Sequence, residues 1–458
     1  MVMPKNGRSV GGRCLTMMKK VYIKTLGCKV NQYDGQWLSE KLVHNNCEIV
    51  SEKRSADICI INTCTVTEKS DKKARNIISQ CVRENPDAML FVTGCLASKN
   101  SESIKNLSGV DFIISNNEKT SIIDLIKNIQ KKDTLNNKIY DSSLENKNIS
   151  HFINHQKISS FYGHDRSFVK IQDGCSNFCS YCVVPYVRGE SASKKPENVI
   201  KEVEGLLNNG CMEIVLTGIN LGLYGRDLDI KKALEMVLKE IVKFPKLKRI
   251  RLSSIEVDLV SDELVKLMNC EKKLCNHLHI PLQSGSNKIL KKMRRPYTKE
   301  FYFNKIEDIK KTIDNVLIST DVISGFPGEK IGDHLQTIRM IDRIGFSKVH
   351  IFPFSFREGV YALNYIDEKT SQDKIKKRKK ELEKAALAVS ERIKNKYLGS
   401  EVEVLFESKR EKETGLFQGL TENYLRVLFS GNDKLMGRLV NVRIKEIKKG
   451  YLLGEKIK

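Results

Sequence analysis

The chain has 458 residues, more than one ordinary domain needs, so its length predicts two or three domains. Lysine and arginine number 79 against 56 aspartate and glutamate residues, and the formal charge of +23 suggests a polyanionic partner such as RNA or DNA, although an AT-rich genome also enriches lysine. Thirteen cysteines spread along the chain indicate a reducing cytosol rather than a small secreted disulfide scaffold, and no apolar run is long enough to span a membrane.

The amino-terminal third predicts a sheet domain preceded by an extension. Residues 1–19 are basic and lack an apolar stretch, which excludes a secretory signal and predicts disorder. Residues 20–131 alternate short apolar runs, at 21–23, 57–61, 89–93 and 112–114, with amphipathic stretches. This alternation predicts a parallel sheet with helices on its faces. Residues 132–160, rich in Asn, Lys, Asp and Ser, are expected to form a linker.

The rest of the chain predicts two more domains. Residues 161–397 repeat a strand–helix unit, with strands expected at 168–172, 213–217, 249–253, 277–281, 318–323 and 348–353. Six such units predict a partial TIM-type (β/α)6 barrel, whose site lies at the carboxyl ends of its strands. A long charged helix is expected at 371–397, and the short strands of residues 398–458 predict a small β-barrel. The fold class is therefore α/β, with a parallel sheet domain, a partial barrel and a terminal β-barrel.

A cysteine triplet directly follows the first predicted barrel strand. Cys175, Cys179 and Cys182 have C-x3-C-x2-C spacing and no fourth cysteine nearby. A structural zinc site needs four ligands, whereas a [4Fe-4S] cluster held by three thiolates leaves one iron open. That iron can chelate S-adenosylmethionine (SAM), and the segment resembles the signature of the radical-SAM enzymes.

A second set of cysteines lies in the amino-terminal domain. Cys28, Cys64 and Cys95 each come just after a predicted strand. The carboxyl ends of parallel strands form the ligand-binding edge of such a sheet, so these thiolates are expected to share one metal cofactor. The alternative is that they are small buried hydrophobes. Six further cysteines show no such pattern and are expected to be core or incidental residues: Cys47, Cys59, Cys81, Cys211, Cys270 and Cys275.

Together, these motifs resemble the methylthiotransferase family. The resemblance is carried by the segments 26–32 (LGCKVNQ), 62–67 (NTCTVT) and 94–95 (GC), the radical-SAM triplet and the terminal barrel. It implies one [4Fe-4S] cluster at each cysteine set, SAM as cofactor, a terminal TRAM domain, tRNA as partner and a flavodoxin or ferredoxin as electron donor. The form of residues 27–32 implies methylthiolation at carbon 2 of N6-threonylcarbamoyladenosine, next to the anticodon. The oligomeric state is left open.

The resemblance also suggests contact residues and shows one departure. The expected SAM contacts lie in the cluster loop and at barrel strand ends: Tyr181, Gly218, Asn220, Ser254, Glu256 and Gln283. The expected RNA contacts are cations and an aromatic residue in two regions: Arg294, Arg295, Tyr297, Arg426, Arg438 and Arg443. Where the family usually has Arg-Ser-Arg, this chain has Ala192, Ser193 and Lys194, which puts a SAM or RNA role of that segment in question.

Three alternatives stay open at the level of sequence. The substrate of a methylthiotransferase could instead be isopentenyladenosine in tRNA, or an aspartate of a ribosomal protein. A non-catalytic iron–sulfur redox protein or RNA-binding protein is the alternative from another class. The strand-end polar residues weigh against that last possibility, because an electron carrier needs no open iron.

Overall fold

The computed structural model describes residues 18–128, 140–141, 149–161, 165–431 and 435–457. Nearly all of the predicted extension, up to residue 17, lies outside these ranges. No helix within them is both long enough and apolar enough to cross a membrane.

The amino-terminal domain is a six-stranded parallel sheet. Its strands are β1 (Lys19–Thr25), β2 (Cys47–Val50), β3 (Ile58–Thr63), β4 (Met89–Gly94), β5 (Phe112–Ile114) and β6 (Tyr140–Asp141), in the order β2-β1-β3-β4-β5-β6. Its helices are α1 (Lys29–His44), α2 (Glu68–Glu84), α3 (Cys95–Lys99), α4 (Ser101–Lys105), α5 (Ser121–Asn128) and α6 (Ile149–His155). β3 and β4 are buried at every position, which explains why their apolar runs were visible in the sequence.

The segment expected to be a linker contains part of this domain. β6 adds an edge strand beside β5, and α6 places Phe152 in the core, where its ring lies 5.5 Å from that of Trp37 in an edge-to-face contact. β6 and α6 therefore belong to the amino-terminal domain, whereas residues 132–139 and 142–148 of the expected linker lie outside the described ranges.

The central domain is a six-stranded partial barrel made of two three-stranded parallel sheets. Its strands are β7 (Arg166–Lys170), β10 (Glu213–Thr217), β11 (Arg249–Leu252), β12 (His277–His279), β13 (Leu317–Ser324) and β14 (Lys348–Pro353). A short antiparallel pair, β8 (Gln172–Asp173) and β9 (Ala192–Ser193), flanks the first strand. The sheets run β11-β10-β7 and β12-β13-β14, and the bridges Ile250–Leu274 and Ser254–His279 connect them. This arrangement confirms the predicted fold class of the domain.

Helices surround this barrel, and a long helix leads out of it. They are α7 (Val184–Arg188), α8 (Pro196–Asn208), α9 (Ala233–Ile241), α10 (Asp262–Cys270), α11 (Asn287–Lys292), α12 (Lys299–Thr312), α13 (Ile331–Ile344) and α14 (Gln372–Asn395). Short 3-10 helices occur at Lys53–Ser55, Asn116–Glu118, Leu221–Leu223, Arg226–Leu228, Val257–Leu259 and Tyr361–Glu368.

The terminal domain is a closed five-stranded barrel, as predicted. Its strands are β15 (Glu401–Arg410), β16 (Phe417–Thr421), β17 (Arg426–Phe429), β18 (Leu439–Lys448) and β19 (Tyr451–Lys456), in the order β15-β16-β17-β19-β18. We call it the terminal barrel. Its core contains Phe406, Phe417 and Phe429.

The terminal barrel sits against the amino-terminal end of β11. Arg249 donates to the Glu403 carbonyl oxygen at 2.8 Å, and Arg251 donates to the Thr421 carbonyl oxygen at 2.8 Å. Both arginines are buried, and Arg251 is also paired with Glu213, with its Nε 2.6 Å from the carboxylate. The two domains therefore share a polar, desolvated contact.

Candidate active site

Cys28, Cys64 and Cys95 lie at one edge of the amino-terminal sheet. They follow β1, β3 and β4, which are adjacent in the sheet, and Thr63 at the end of β3 is in register with Gly94 at the end of β4. The predicted clustering of strand ends is therefore present in the structure. Gly94 has a φ of +91°, and a Cβ there would overlap the backbone of Thr63, so only glycine fits directly before Cys95.

The three thiols are close enough to influence one another's ionisation. Burial raises the pKa of Cys64 to about 11, with further contributions from Cys95 and Cys28. Burial also raises the pKa of Cys95, while the nearby Arg188 guanidinium opposes this effect. The Val66 N–H donates a hydrogen bond to the Cys64 sulfur. Backbone N–H donors and a cation beside the sulfurs suit an iron–sulfur cluster, whose thiolates carry charge that needs such partners.

Cys175, Cys179 and Cys182 occupy a tight loop after β8. Gly174 has a φ of +67°, and a Cβ there would overlap the Glu190 carbonyl group. The Cys182 N–H donates to the Cys179 carbonyl at 2.9 Å, and the Cys175 N–H donates to the Gly189 carbonyl at 3.1 Å. Backbone N–H groups of the loop also donate to the sulfurs of Cys175 and Cys182. The residues present therefore fit a cluster with three thiolate ligands.

Three thiolates at each site leave a tetrahedral zinc ion one ligand short, since structural zinc sites usually have four protein ligands. A cubane held by three cysteines keeps one iron open, so the residues at each site fit such a cluster. Among the described residues, the group of three metal-binding side chains whose ligand atoms all lie within 4.8 Å of one another is His279, Asp321 and His350.

Arg188 links the two cysteine sites. From the end of α7 it donates to both Asp173 carboxylate oxygens, at 2.8 and 2.9 Å, next to the radical-SAM loop. Its other Nη donates to Asn31 Oδ1 at 3.0 Å. The Asn31 amide in turn donates to the carbonyls of Leu26 and Thr63, at 2.6 and 2.9 Å, which lead into the first cysteine site. Sequence reasoning missed Arg188 and Asn31, because their partners come from different domains.

A buried charge network continues from Arg188 into both domains. Asp34 on α1 accepts from Lys119 at 2.9 Å and from Lys170 at 2.5 Å, and Lys170 also contacts Asp173 at 3.0 Å. Burial alone would raise the pKa of Asp34, but Lys119, Lys170 and Arg188 hold it below its usual range. With Arg188, the network holds three cations and two anions, so its unmatched positive charge borders Cys95 and favours an anionic group there.

The expected SAM contacts gather at the carboxyl ends of barrel strands, on the same side as the cysteine loop. Gly218 and Asn220 follow β10, and Ser254 and Glu256 follow β11. Asn220 Oδ1 accepts from the Gly222 N–H at 3.2 Å, while its buried Nδ2 has no hydrogen-bond partner among the described residues. Such an orphaned donor suits a bound polar ligand.

Two more expected SAM contacts have distinct environments. Gln283 follows β12 with a φ of +63°, and its backbone N–H donates to the Asp321 carbonyl at 2.8 Å. Tyr181 packs among the apolar residues around Phe326, and burial raises its pKa well above the usual value. Their contact with SAM, like that of the other four residues, stays a prediction.

Arg295 and Tyr297 lie inside the protein, against the cysteine loop. Arg295 is 8% exposed; it donates to the Cys179 sulfur at 3.3 Å and to Tyr297 Oη at 3.0 Å, and it contacts the Glu256 carboxylate. Tyr297 is 7% exposed and donates to the Pro281 carbonyl. Little of either side chain is exposed in this structure, and RNA contact by Arg295 and Tyr297 stays a prediction. Arg294 is exposed and stacks on Tyr361 at 3.5 Å, so its RNA contact stays a prediction.

The expected RNA contacts of the terminal barrel differ in how they are paired. Arg426 donates to Gln418 Oε1 at 3.0 Å, and Arg443 donates to Glu401 at 2.8 Å. Arg438 is exposed, and its side chain has no hydrogen bond or ion pair with any residue that the structure describes. Arg438 is therefore the candidate that a phosphate could reach without breaking an existing contact.

Lys194, in the segment that departs from the family pattern, has a structural role. Its ammonium group is fully buried and donates to Glu202 Oε2 at 2.6 Å, the Gln156 carbonyl at 2.7 Å and Tyr33 Oη at 3.0 Å. These partners join α8 to α1. The side chain faces neither the cysteine loop nor the surface, so it is not positioned to hold SAM or RNA.

Comparisons with known proteins cover nearly the whole chain. The family described as "Uncharacterized protein family UPF0004" matches residues 20–115, the Radical SAM superfamily matches 169–341 and the TRAM domain matches 395–457. The chain is 34% identical to threonylcarbamoyladenosine tRNA methylthiotransferase MtaB of Bacillus subtilis over 96% of each chain. It is 35% identical to the Thermotoga maritima protein of that name, over 94% of this chain and 95% of that one.

Two further similarities show how specific the comparison with known proteins is. A tRNA-2-methylthio-N(6)-dimethylallyladenosine synthase of Clostridium botulinum is also 35% identical, over 95% of this chain and 96% of that one. The radical S-adenosylmethionine methyltransferase TsrM of Kitasatospora setae, solved with cobalamin and a [4Fe-4S] cluster, has a TM-score of 0.53 at 15% identity, over 74% of this chain and 75% of that one. The similarity to TsrM, at 15% identity, shows the fold alone. The domain order, the cysteine loop and the near full-length relatives show that the chain belongs to the radical-SAM tRNA methylthiotransferases, enzymes that use SAM and an iron–sulfur cluster.

Proposed function

We propose that this enzyme inserts a methylthio group at carbon 2 of N6-threonylcarbamoyladenosine in tRNA and that it holds two [4Fe-4S] clusters. The observation that carries the proposal is the junction at Arg188, which joins the Cys28, Cys64 and Cys95 site to the loop of Cys175. Two adjoining cysteine triads can hold a SAM-binding cluster and a sulfur donor within reach of one base. The motif at residues 27–32 supports the threonylcarbamoyl substrate.

Each part of the chain has a role in this reaction. When bound, the clusters and SAM supply a radical able to attack an unactivated C–H bond and a sulfur atom to replace the hydrogen. Cys175, Cys179 and Cys182 would hold the first cluster, and Arg295 would orient Cys179 through its 3.3 Å contact. Asn220 and Glu256 would bind polar groups of SAM. The apolar side chains of Val183, Val187 and Phe354 pack with Cys95 and would exclude water between the sites.

Iron analysis tests the cluster count. Anaerobic reconstitution should give about eight irons per chain, as two cubanes require. Replacing Cys175, Cys179 and Cys182 together with alanine should halve this number, and so should replacing the other triad. Cys270→Ala, at an exposed cysteine on α10, is the matched control and should keep all eight. A wild-type value near four would contradict the two-cluster proposal.

Product analysis tests the reaction and the substrate. With dithionite, SAM and an anticodon stem-loop carrying N6-threonylcarbamoyladenosine, mass spectrometry should show the methylthio product. Cys64→Ala should keep 5′-deoxyadenosine release but lose methylthio transfer, whereas Cys179→Ala should lose both. Modification of an isopentenyladenosine stem-loop alone would overturn the substrate assignment. A cytosolic location and a flavodoxin or ferredoxin as reductant stay predictions.

A further inference from the structure

The inner face of the partial barrel carries a group of polar side chains that has no role in holding the clusters. Side chains alternate along a strand, and Leu278 and Ile318 point into the helix-covered core. His277, His279, Asp321 and His350 therefore face the barrel interior. We call these four residues, with Lys29 and Tyr424, the lumen cluster.

The lumen cluster is held by contacts between neighbouring strands. Ser319 Oγ lies 3.0 Å from His277 Nε2 and 2.9 Å from His279 Nδ1. His279 Nε2 lies 3.2 Å from Asp321 Oδ2, and the rings of His279 and His350 are 5.8 Å apart. Several imidazoles are thus fixed in orientation on one wall of the barrel.

All three domains contribute to the lumen cluster. Lys29 directly follows Cys28, and its Nζ lies 5.5 Å from the ring centre of Tyr424 in the terminal barrel. The Tyr424 ring lies 4.6 Å from that of His277 and 4.3 Å from the Arg251 guanidinium carbon. A side chain beside the first cysteine site therefore reaches the floor of the barrel, where the other two domains meet.

Two buried polar atoms of the lumen cluster have no partner in the structure as described. They are Tyr424 Oη and His277 Nδ1. His277 is 7% exposed, and in native proteins most buried polar atoms are hydrogen-bonded. These two orphaned atoms, in a region lined by the side chains of three domains, indicate a place for a polar ligand.

The charge around the lumen cluster favours an anion. Neither Lys29 nor Lys348 has a carboxylate within 4.0 Å among the described residues, whereas Arg251 is neutralised by Glu213 and Asp321 contacts His279. Burial, followed by Lys348, lowers the pKa of His350 to about 4, and burial and Arg251 lower that of His277 well below its usual value. The same cations oppose a divalent metal at His279, Asp321 and His350, although those ligand atoms are close together.

We propose that the lumen cluster binds the carboxylate on the N6 substituent of the target adenine, with Lys29 as its charge partner. This inference rests on the proposed function. If carbon 2 of the base faces the two cysteine sites, the C6–N6 bond leaves a different side of the ring, so the N6 substituent can extend along Lys29, which connects Cys28 to Tyr424 of the lumen cluster. A threonylcarbamoyl group supplies a carboxylate, a hydroxyl and N–H groups. An isopentenyl group would leave the polar atoms of the lumen cluster unpaired, which is a strong basis for rejection.

Binding measurements on the wild-type, cluster-reconstituted chain test this directly. Three anticodon stem-loops differ only at the target adenosine, which carries threonylcarbamoyl, its neutral methyl ester or isopentenyl. The free acid should bind about 10- to 100-fold more tightly than the ester, the range expected for a charge-assisted hydrogen bond. Equal affinity for the acid and the ester would overturn this inference, even if the acid is methylthiolated. If the threonylcarbamoyl stem-loop is not methylthiolated at all, the proposed function itself is overturned.

Substitutions test which residues of the lumen cluster cause the preference for the acid over the ester. Lys29→Met should remove the acid-over-ester preference, while Lys29→Arg should keep most of it. Lys24→Met, at an exposed lysine on β1, is the matched control and should bind all three RNAs as the wild type does. His350→Ala, on β14, should also weaken the preference. A zinc ion retained stoichiometrically by the wild type and lost in His350→Ala would overturn the inference in favour of a metal site.

Discussion

Arg357 and Asp71 form a two-pronged ion pair between the barrel and the amino-terminal domain. Arg357 Nη1 lies 2.6 Å from one Asp71 carboxylate oxygen, and its Nη2 lies 3.2 Å from the other. The same Nη2 contacts the carbonyl of Thr65, the residue after Cys64. Both side chains are largely buried. The segment after β14 thus fixes the loop that carries one of the amino-terminal cysteines.

Replacing Arg357 with alanine should lower the free energy of unfolding by about 3–5 kcal/mol, because Asp71 would stay buried without a partner. Urea unfolding of the apoprotein measures this. Arg392→Ala is the control: that arginine contacts Asp342 at 3.1 Å, but both side chains are exposed, so the loss should stay below about 1 kcal/mol. Similar losses in both variants would contradict the assignment of a buried interdomain pair.

Arg188→Gln should lower the reduction potential of a cluster bound at Cys28, Cys64 and Cys95. The guanidinium charge beside Cys95 stabilises the more negative, reduced state, and glutamine removes that charge. A redox titration followed by electron paramagnetic resonance would show the shift. The titration is done in a background with the radical-SAM cysteines replaced by alanine, so that one signal is observed. Arg188→Lys should give a smaller shift, and an unchanged potential in Arg188→Gln would exclude this role.

Gly174→Ala should disrupt the radical-SAM loop. Its positive φ and the overlap of a new Cβ with the Glu190 carbonyl require the backbone to move. Iron content should fall by about half, since one of two cubanes loses its loop. Gly345→Ala is the control, since Gly345 also has a positive φ, +73°, but a Cβ added there would meet nothing within 4 Å. That variant should lose about 1 kcal/mol of stability and no iron.

Glu329 should make stability depend on pH. Burial raises its pKa from 4.5 to about 7, despite Arg378 at 2.8 Å and the Gly325 N–H at 3.0 Å. The folded state therefore binds the proton more tightly than the unfolded chain does. This tighter proton binding adds roughly 3 kcal/mol to the free energy of unfolding at low pH. The added stability is fully present below about pH 4.5 and is lost as pH rises through about 7.

Glu329→Gln removes this titration. Relative to the wild type, the variant should gain up to roughly 3 kcal/mol between pH 5 and pH 8, as measured by denaturant unfolding at both values. Contributions of other groups cancel in the difference. Parallel stability curves for the two proteins would show that Glu329 ionises normally in the folded state.

Arg438→Ala should weaken tRNA binding and reduce its salt dependence. Each phosphate of a single-stranded region that the protein no longer neutralises lowers the slope of log affinity against log salt by about 0.7. Arg443→Ala should have a smaller effect, because Arg443 is already paired with Glu401. Fluorescence anisotropy at several salt concentrations measures both. Identical slopes for Arg438→Ala and the wild type would place the tRNA elsewhere.

The sequence was informative where structure is local. All six barrel strands were predicted close to their observed positions, because short segments with apolar residues alternate there with amphipathic helical stretches. β2, β6 and the two-residue strand β9 were missed. In β2 only Cys47 is buried, so the strand lacks an apolar run, and β6 has two residues at the edge of the sheet. Strands of this kind form because a neighbour offers hydrogen bonds, and that information lies elsewhere in the chain.

The residues of the candidate site could likewise be predicted only in part. Cys28, Cys64 and Cys95 could be predicted to cluster, since each follows an apolar run and parallel strand ends share one edge. The position of Arg188 in the site could not be predicted, because its partner Asn31 lies 157 positions away in the sequence. The contacts of Arg295 could not be predicted for a related reason: a cation beside an aromatic residue is typical of an RNA-binding surface, and the burial of Arg295 against Cys179 is seen only in the structure.

The docking of the terminal barrel on Arg249 and Arg251 limits how freely that domain can be exchanged. In the sequence, the terminal barrel looks like a separable domain. Its backbone carbonyls nevertheless accept hydrogen bonds from guanidinium groups of the central domain. A chain without the terminal barrel would leave those guanidinium groups without part of their pairing. A chimera with a related terminal domain should fold well only if the donor presents carbonyls at the positions of Glu403 and Thr421. The central domain and the terminal barrel therefore form one packing unit, in which two buried arginines depend on main-chain oxygens of the neighbouring domain.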